Sequence, residues 1–489
     1  MAVGSSNDFD LVVLGAGTGG YTAAFRAAQL GLRVALVDED KIGGTCLHRG
    51  CIPTKALLES ADAVNRARDL KDFGVVLPGE PGVDYAQMAT RRDQVVKRMW
   101  TGLKTLVTKN KVTWIQGRGR IDGPGRVRVR QAPEDGTDGN GGAGGGGERL
   151  LQATDIIIAT GSRVKSLPGL TPDGERILTS DDVLRRADAP KSIIIVGGGA
   201  VGVEFASFYQ DIGTQVTLLE YLPRIVPLED RDVSQLVERS FSKRGMKVVT
   251  NARFDAAKVE NTKDGVCVDV GRESEDGGGK SEEVRAEVML VATGRAANVE
   301  EIGLETTKVQ VDNGIIKVNG RMRTREPHVY AIGDIVGGLW LAHVAAHEGL
   351  VAAHVIAGDK DVHEIDYTTQ PRATYCRPEI ASIGLTEQQC EEQGLPIKVG
   401  KVPFQAIAKA IIGGEYEGFA KVIGHRDTDD TLGIHVAGPR ATDLIAEASV
   451  AFSLDATPWE IGAATHAHPT FSEVLGEAAM AVDGRSINF

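Results

Sequence analysis

The sequence predicts an α/β chain in which two βαβ units of one kind are nested and a separate α+β domain follows. Three observations predict it. A short apolar run ending in a Gly-x-Gly-x-x-Gly turn occurs twice, at residues 15–20 and 197–202. Each turn opens 23 residues before an acidic residue that ends a second apolar run, Asp38 and Glu220. From Asp366 onward the composition shifts and no such turn recurs.

In the first unit, Leu11-Val12-Val13-Leu14 leads into Gly15-Ala16-Gly17-Thr18-Gly19-Gly20. Such a turn joins strand to helix tightly, its second glycine lets a pyrophosphate approach the backbone, and the helix N-terminus holds the phosphates. Residues 21–30 read as a small-residue helix. With 60 glycines in 489 residues, three glycines at these offsets occur by chance about once, so context must decide. The context is the run 32–37 ending at Asp38, whose carboxylate can accept hydrogen bonds from a ribose diol.

The second unit repeats the pattern. Ser192-Ile193-Ile194-Ile195-Val196 enters Gly197-Gly198-Gly199-Ala200-Val201-Gly202, and Val216-Thr217-Leu218-Leu219 ends at Glu220. Each unit closes on a buried-strand pattern ending in Ala-Thr-Gly, at residues 155–161 and 288–294. The polar, glycine-rich stretches 136–147 and 273–280 read as flexible hairpin tips. Further on, Val329-Tyr330-Ala331-Ile332-Gly333-Asp334 places a carboxylate at a strand end. In the last third, residues 386–394, 443–452 and 473–482 read as helices and the segments around Lys401, Phe419 and Leu432 as strands.

Two of the five cysteines stand in Gly43-Gly44-Thr45-Cys46-Leu47-His48-Arg49-Gly50-Cys51-Ile52-Pro53-Thr54-Lys55. In a straight helix their Cα atoms would be roughly 8.6 Å apart, whereas a disulfide needs about 4.4 to 6.8 Å. The segment must bend if they are to pair, and Gly43, Gly44 and Gly50 allow it, with Pro53 suited to a helix starting just afterwards. Half of a zinc site and two buried thiols stay open as alternatives, although Cys267, Cys376 and Cys390 offer no second metal-ligand pair. Five cysteines are too few for a secreted disulfide scaffold, so in a reducing compartment a disulfide here would be catalytic or redox-sensing.

The other reactive stretch is Thr465-His466-Ala467-His468-Pro469-Thr470-Phe471-Ser472-Glu473. A histidine beside a carboxylate suits a general base for thiols, because imidazole titrates near neutrality and the carboxylate fixes its tautomer. His-x-His also serves as a metal chelate, but no third ligand is apparent and no metal is expected.

Composition bounds the rest. The length suits about three domains. With 42% hydrophobic and 25% charged residues the chain is ordinary for a soluble globular protein. A net charge of −12, from 55 basic and 67 acidic residues, argues against nucleic acid or an anionic membrane as the main partner. The N-terminal residues show no targeting pattern, and the most apolar stretch, residues 193–203, is too short to span a membrane. The expected location is the cytoplasm.

Taken in order, these residues resemble the flavin-dependent pyridine nucleotide-disulfide oxidoreductases. The carriers are the turn 15–20, Gly44-Thr45-Cys46 through Cys51-Ile52-Pro53-Thr54-Lys55, the turn 197–202, Ala292-Thr293-Gly294-Arg295, Gly333-Asp334, residues 378–387 and the His468 stretch. The resemblance covers essentially the whole chain. It implies two nested Rossmann-like dinucleotide-binding domains plus a C-terminal α+β dimerisation domain. The expected boundaries are 1–161 for the first part of an FAD domain, 162–290 for an NAD domain, 291–357 for the segment completing the FAD domain, and 358–489 for the interface.

The resemblance further implies FAD held by Gly15, Gly17, Gly20, Asp38, Gly44, Thr45, Thr160 and Gly161, with Asp334 on the ribityl chain. NAD would be held by Gly197, Gly199, Gly202, Glu220 and Gly294, and Glu220 would repel a 2′-phosphate. Lys55 and Glu204 would form an ion pair beside the isoalloxazine ring. The implied reaction oxidises protein-bound dihydrolipoamide to lipoamide and reduces NAD+ to NADH. His468, oriented by Glu473 and supplied by the partner subunit of a homodimer, would deprotonate the dithiol. The thiolate would attack Cys46 and release Cys51 from a Cys46–Cys51 disulfide, and Cys51 would pass the electrons on to FAD. The implied partners are lipoyl-bearing proteins, namely acyltransferase cores of 2-oxoacid dehydrogenase complexes or the glycine-cleavage carrier.

Three positions depart from the family's commonest pattern. His48-Arg49 stands where Asn-Val is frequent, Cys376 where threonine is usual, and Ala346-His347 where a Glu-Glu pair is common; these bear on kinetic detail and leave the catalytic set intact. Cys267, Cys376 and Cys390 read as structural. Among rival activities, a glutathione-type reductase is opposed by Glu220, though Arg224 lies close by. Mercuric reduction lacks a C-terminal cysteine pair. A diaphorase, a nucleotide sensor or an architectural subunit would not need Cys46, Cys51 and His468.

Overall fold

The computed structural model describes residues 7–131, 147–272 and 281–489. Except for Gly147, the two glycine-rich stretches read as hairpin tips lie outside these residues. The chain gathers into two compact units. One takes residues up to Pro53 with Arg91–Val164 and Arg295–Tyr367; the other takes Thr54–Thr90, Lys165–Gly294 and Thr368–Phe489.

The sheet of the first unit is organised on strand Asp8–Leu14. It pairs in parallel with Val34–Asp38 on one side and with Glu148–Ile158 on the other. Thr113–Ile121 and Val329–Ala331 extend the sheet in parallel at its two edges. Leu11, Val12, Val13, Leu36 and Ile157 are all fully buried. Strands covered on both faces need continuous apolar runs, which is the pattern read from the sequence. Thr113–Ile121 and Glu148–Ile158 outrun the parallel sheet, and their ends pair antiparallel with Arg126–Gln131. There the pattern alternates, Val127 and Val129 inward and the arginines outward.

Helix Thr18–Gln29 leaves the first turn and packs against helix Ala342–Ile356. A Cβ on Gly349 would lie 2.6 Å from the Gly19 carbonyl oxygen, and one on Gly19 would lie 2.9 Å from that of Ala345. The two glycines therefore set how closely the helices approach.

The second unit repeats the parallel arrangement, in the order Lys247–Val249, Gln215–Leu219, Ser192–Val196, Val288–Val291, Ile177–Leu178. Beside it stands a small antiparallel sheet of Ala252–Arg253, Glu260–Thr262, Gly265–Arg272 and Ser281–Ala286. The last third forms a five-stranded antiparallel sheet, ordered Arg372–Thr374, Ile380–Gly384, Thr431–Ala437, Phe419–His425, Ile397–Pro403. Helices Ala441–Ser453 and Glu473–Ala481 close its core through Ile445, Ala448, Val474 and Leu475. The α+β reading of this part holds. Strand Ile380–Gly384 and helix Pro458–Ala463 were not anticipated, being too short to show a period.

On strand Phe419–His425, Lys421 is only 1% exposed, and its ammonium meets Asp230 at 2.8 Å, Asp232 at 2.7 Å and Glu387 at 2.8 Å. Those three carboxylates are the one cluster among the described residues spaced to hold a metal, and the lysine supplies their cation. Among the described residues, no helix is long and apolar enough to cross a membrane.

Candidate active site

The two glycine turns are built alike. Gly15 has φ +103° and Gly197 φ +108°, a region open to glycine and strained for other residues. A Cβ on Gly20 would fall 1.9 Å from the Gly15 carbonyl oxygen, and one on Gly202 1.8 Å from that of Gly197. The third glycine of each turn is therefore fixed by packing. The second is fixed by something else. Gly17 and Gly199 are the N-caps of helices Thr18–Gln29 and Ala200–Asp211, both extended and without a side-chain cap. A Cβ on either would meet nothing within 4 Å. Each turn thus leaves open space before a helix N-terminus whose first amides lack a side-chain cap, a cradle that fits a dinucleotide pyrophosphate.

The acidic residues brace the same turns. Asp38 accepts from the Ala16 N–H at 2.6 Å and the Asp40 N–H at 2.9 Å; Glu220 accepts from Gly198 at 2.5 Å and Leu222 at 2.7 Å. Burial holds the Asp38 carboxyl above its usual range, against the pull of those amides. Each carboxylate keeps lone pairs for a ribose while fixing the loop that faces it.

The cysteine segment is tied to the first turn. The Gly43 N–H donates to the Ala16 carbonyl at 2.9 Å, and a Cβ on Gly44 (φ +58°) would lie 2.6 Å from Gly17 Cα. Thr45 and Cys46 ride on the short helix Gly44–Arg49, and Cys51 opens helix Cys51–Asp69. Gly50 between them, at φ −144° and ψ −112°, breaks the chain between the two helices, at one of the glycines that the sequence offered for a bend. The second helix starts two residues before Pro53, because a proline costs no hydrogen bond in a first turn. Cys46 and Cys51 are half-buried, whereas Cys267, Cys376 and Cys390 are buried. Burial pushes the Cys376 thiol well up. His48 Nε2–H donates to the Ile42 carbonyl at 2.9 Å and Arg49 pairs with Asp40 at 3.0 Å, so the His48-Arg49 departure braces the loop before Gly43.

Thr160 Oγ donates to the Asn298 carbonyl, and Asn298 Nδ2 donates back to that of Thr160, both at 2.9 Å. Gly161 (φ +66°) and Gly294 (φ +124°) each face open space. Asp334 accepts a short hydrogen bond from Ser162 Oγ and lies 3.8 Å from the Arg295 guanidinium. Ser162, directly after the first Ala-Thr-Gly closing, escaped the sequence reading, and Arg295, directly after the second, entered it only as part of the motif, with no role assigned. In the second unit, Lys55 Nζ donates to both oxygens of Glu204, at 2.8 and 2.7 Å. The Tyr375 N–H donates to the same carboxylate at 3.0 Å, and its ring lies 4.8 Å from Lys55 Nζ. No sequence signal marked Tyr375.

His468 Nδ1–H donates to Glu473 Oε1 at 2.8 Å. That fixes the tautomer and leaves Nε2 as a proton acceptor on a side chain that is 71% exposed. The other Glu473 oxygen accepts the Thr470 N–H at 2.8 Å. Burial pushes Glu473 up, but the hydrogen bonds from His468 and Thr470 outweigh it and hold the carboxyl below its usual range.

Comparison with known proteins shows the family. Residues 9–349 match the pyridine nucleotide-disulphide oxidoreductase family, and residues 370–479 match its dimerisation domain. Dihydrolipoyl dehydrogenase of Bacillus subtilis is 46% identical over 99% of this chain and 100% of its own length. That of Zymomonas mobilis is 40% identical over the same shares. The solved structure of LpdA from Mycobacterium tuberculosis superposes with a TM-score of 0.86 at 29% identity, covering 96% of this chain and 98% of its own. Two dinucleotide turns, a bent cysteine segment and a C-terminal dimerisation domain thus occur together in one chain, which belongs to the pyridine nucleotide-disulphide oxidoreductase family, enzymes that work with FAD and a nicotinamide nucleotide.

Proposed function

We propose that the chain oxidises protein-bound dihydrolipoyl groups and reduces NAD+, as the lipoamide-oxidising component of 2-oxoacid dehydrogenase or glycine-cleavage assemblies in the cytoplasm. The observation that carries this reading is the cysteine segment, bent at Gly50 and packed through Gly43 and Gly44 onto the first dinucleotide turn. It puts a pair of half-buried cysteines beside a cofactor cradle. The names of the full-length relatives supply the substrate.

FAD would rest on Gly15, Gly17, Gly20, Gly44, Thr45, Thr160 and Gly161, with Asp38 and Asp334 on its hydroxyls; NAD would rest on Gly197, Gly199, Gly202 and Gly294, with Glu220 on its ribose. Bound, they supply two-electron exchange with a dithiol and acceptance of a hydride. The chain's residues do the rest. In the homodimer, Nε2 of His468 of the partner subunit takes a proton from the substrate dithiol, and Glu473 stabilises the imidazolium that forms. The thiolate attacks Cys46 Sγ of the paired cysteines, and Cys51 leaves as thiolate. The second substrate thiol then displaces Cys46, so the substrate leaves as a disulfide and the cysteines stay reduced by two electrons. Lys55 is held by Glu204, which keeps its ammonium in a fixed place. The domain boundaries proposed are those expected from the sequence, with residues 358–489 forming the interface.

The test is NADH formation from dihydrolipoamide and NAD+ by the holoenzyme and by C46S. The variant should lose turnover while keeping bound flavin and NADH-driven reduction of artificial acceptors. Full dihydrolipoamide turnover in C46S would sink the assignment.

A further inference from the structure

The proposed function uses only one of the two histidines in Thr465-His466-Ala467-His468-Pro469, and the structure gives the other the opposite environment. The His466 side chain is 12% exposed against 71% for His468. Its Nε2–H donates to Glu447 Oε1 at 2.7 Å, on helix Ala441–Ser453. The Nδ1–Cε1 edge of the ring rests on Gly476 of helix Glu473–Ala481, where a Cβ would lie 2.9 Å from both atoms. Glycine at 476 makes room for the ring. The two imidazoles thus engage different carboxylates on different helices, and among the described residues no third ligand joins them.

Residues 464–472 form neither helix nor strand. An exposed imidazole on such a stretch keeps its place only if the backbone is pinned on both sides. Downstream, Glu473 pins it through the Thr470 N–H at 2.8 Å. Upstream, the Ala467 carbonyl accepts from Thr470 Oγ1 at 2.7 Å within the stretch itself, and the side chain that ties the stretch to a neighbouring helix is His466. We propose that His466 is a positioning residue: tied to Glu447 and seated on Gly476, it fixes where His468 presents Nε2. The inference rests on the reading of His468 as the proton acceptor. A shift of the reacting group by a fraction of an ångström is enough to slow proton transfer, while steps that do not use His468 are untouched.

The experiment compares dihydrolipoamide oxidation by holoenzyme of wild type, H466A, H466Q, H466F, E447A, H468Q and the H466A/H468Q double variant. NADH-driven reduction of an artificial acceptor is the control. H466A and E447A should lower kcat/KM for dihydrolipoamide by about ten- to a hundredfold and leave the control within about twofold. H466Q, whose amide can still donate to Glu447, should recover most of the loss, and H466A/H468Q should be no slower than H468Q, since residues acting as a unit are not additive. An unaffected H466A beside a slow H468Q overturns the positioning role and leaves the reading of His468 standing. A fully active H468Q overturns both. Should H466A fail to fold, H466Q and H466F decide, and equal rates for them overturn the proposal.

Discussion

Replacing Glu348 by glutamine should make stability less dependent on pH, with a sign and size that the structure sets. Glu348 lies on helix Ala342–Ile356 and is 1% exposed. Its oxygens accept from the Gly333 N–H at 2.5 Å and the Tyr367 hydroxyl at 2.8 Å. The other charge acting on it is Asp334, of like sign, and burial pushes its pKa from 4.5 to about 7. The folded state then binds this proton more tightly than the unfolded chain does, so stability falls as pH rises from 4.5 to about 7 and stays lowered above that. At 1.36 kcal/mol per pKa unit the loss is about 3 kcal/mol. Glutamine keeps the acceptor for Gly333 and turns its amide to the Tyr367 oxygen, without a charge to bury. Chemical unfolding of both proteins between about pH 5 and 8 should show E348Q gaining on wild type as pH rises, by about 3 kcal/mol at the alkaline end. A gap between them that does not change with pH would refute the reasoning.

Other positions give separable expectations. G17A should fold as wild type does and lose flavin, since its methyl meets no protein atom and enters the cradle, whereas G20A, 1.9 Å from the Gly15 oxygen, should lose about 1 to 3 kcal/mol of stability by overpacking; flavin content and melting temperature read the two apart. E204A strands the Lys55 ammonium, whose side chain is 31% exposed, and after allowance for that exposure should cost about 1 to 3 kcal/mol in denaturant unfolding. E220Q keeps acceptors for Gly198 or Leu222 but removes the charge that repels a 2′-phosphate, so the ratio of kcat/KM for NADP+ over NAD+ should rise by about tenfold or more; an unchanged ratio would place discrimination elsewhere.

What the sequence made legible is what short stretches of chain decide for themselves. Strand Ser192–Val196, the first glycine of each turn, Gly15 and Gly197, and the break at Gly50 follow from burial on two faces, from positive φ and from the backbone freedom of a glycine set between two short helical runs. Asp334 could be named from its strand end, but not Ser162, which holds it from 172 residues away. Tyr375 was invisible for the same reason. It acts through a backbone N–H, a group every residue but proline owns, and only the tertiary fold brings it to Glu204. Lys421 runs against the ordinary rule that lysine stays at the surface. Its partners Asp230, Asp232 and Glu387 come from two distant segments, so no local pattern could mark it as buried.

The two turns show where local code ends. Both present a second glycine to open space and a third glycine to a backbone oxygen less than 2 Å from its missing Cβ. Both are braced by a carboxylate that accepts an amide of the turn itself, Ala16 in one and Gly198 in the other. One physical solution, a cradle that fits a pyrophosphate, has been used twice, and the sequence repeats it at the same spacing because the geometry leaves little freedom. What separates the two sites lies outside the repeat. The first turn carries Gly43 and Gly44 against its rim, and with them the cysteines. The second is followed by Glu204, whose carboxylate fixes Lys55 instead of contributing to the cradle. A turn shaped for phosphates is set apart from its twin by what is packed beside it, so motif spacing alone points to the ligand class and the neighbours point to the chemistry.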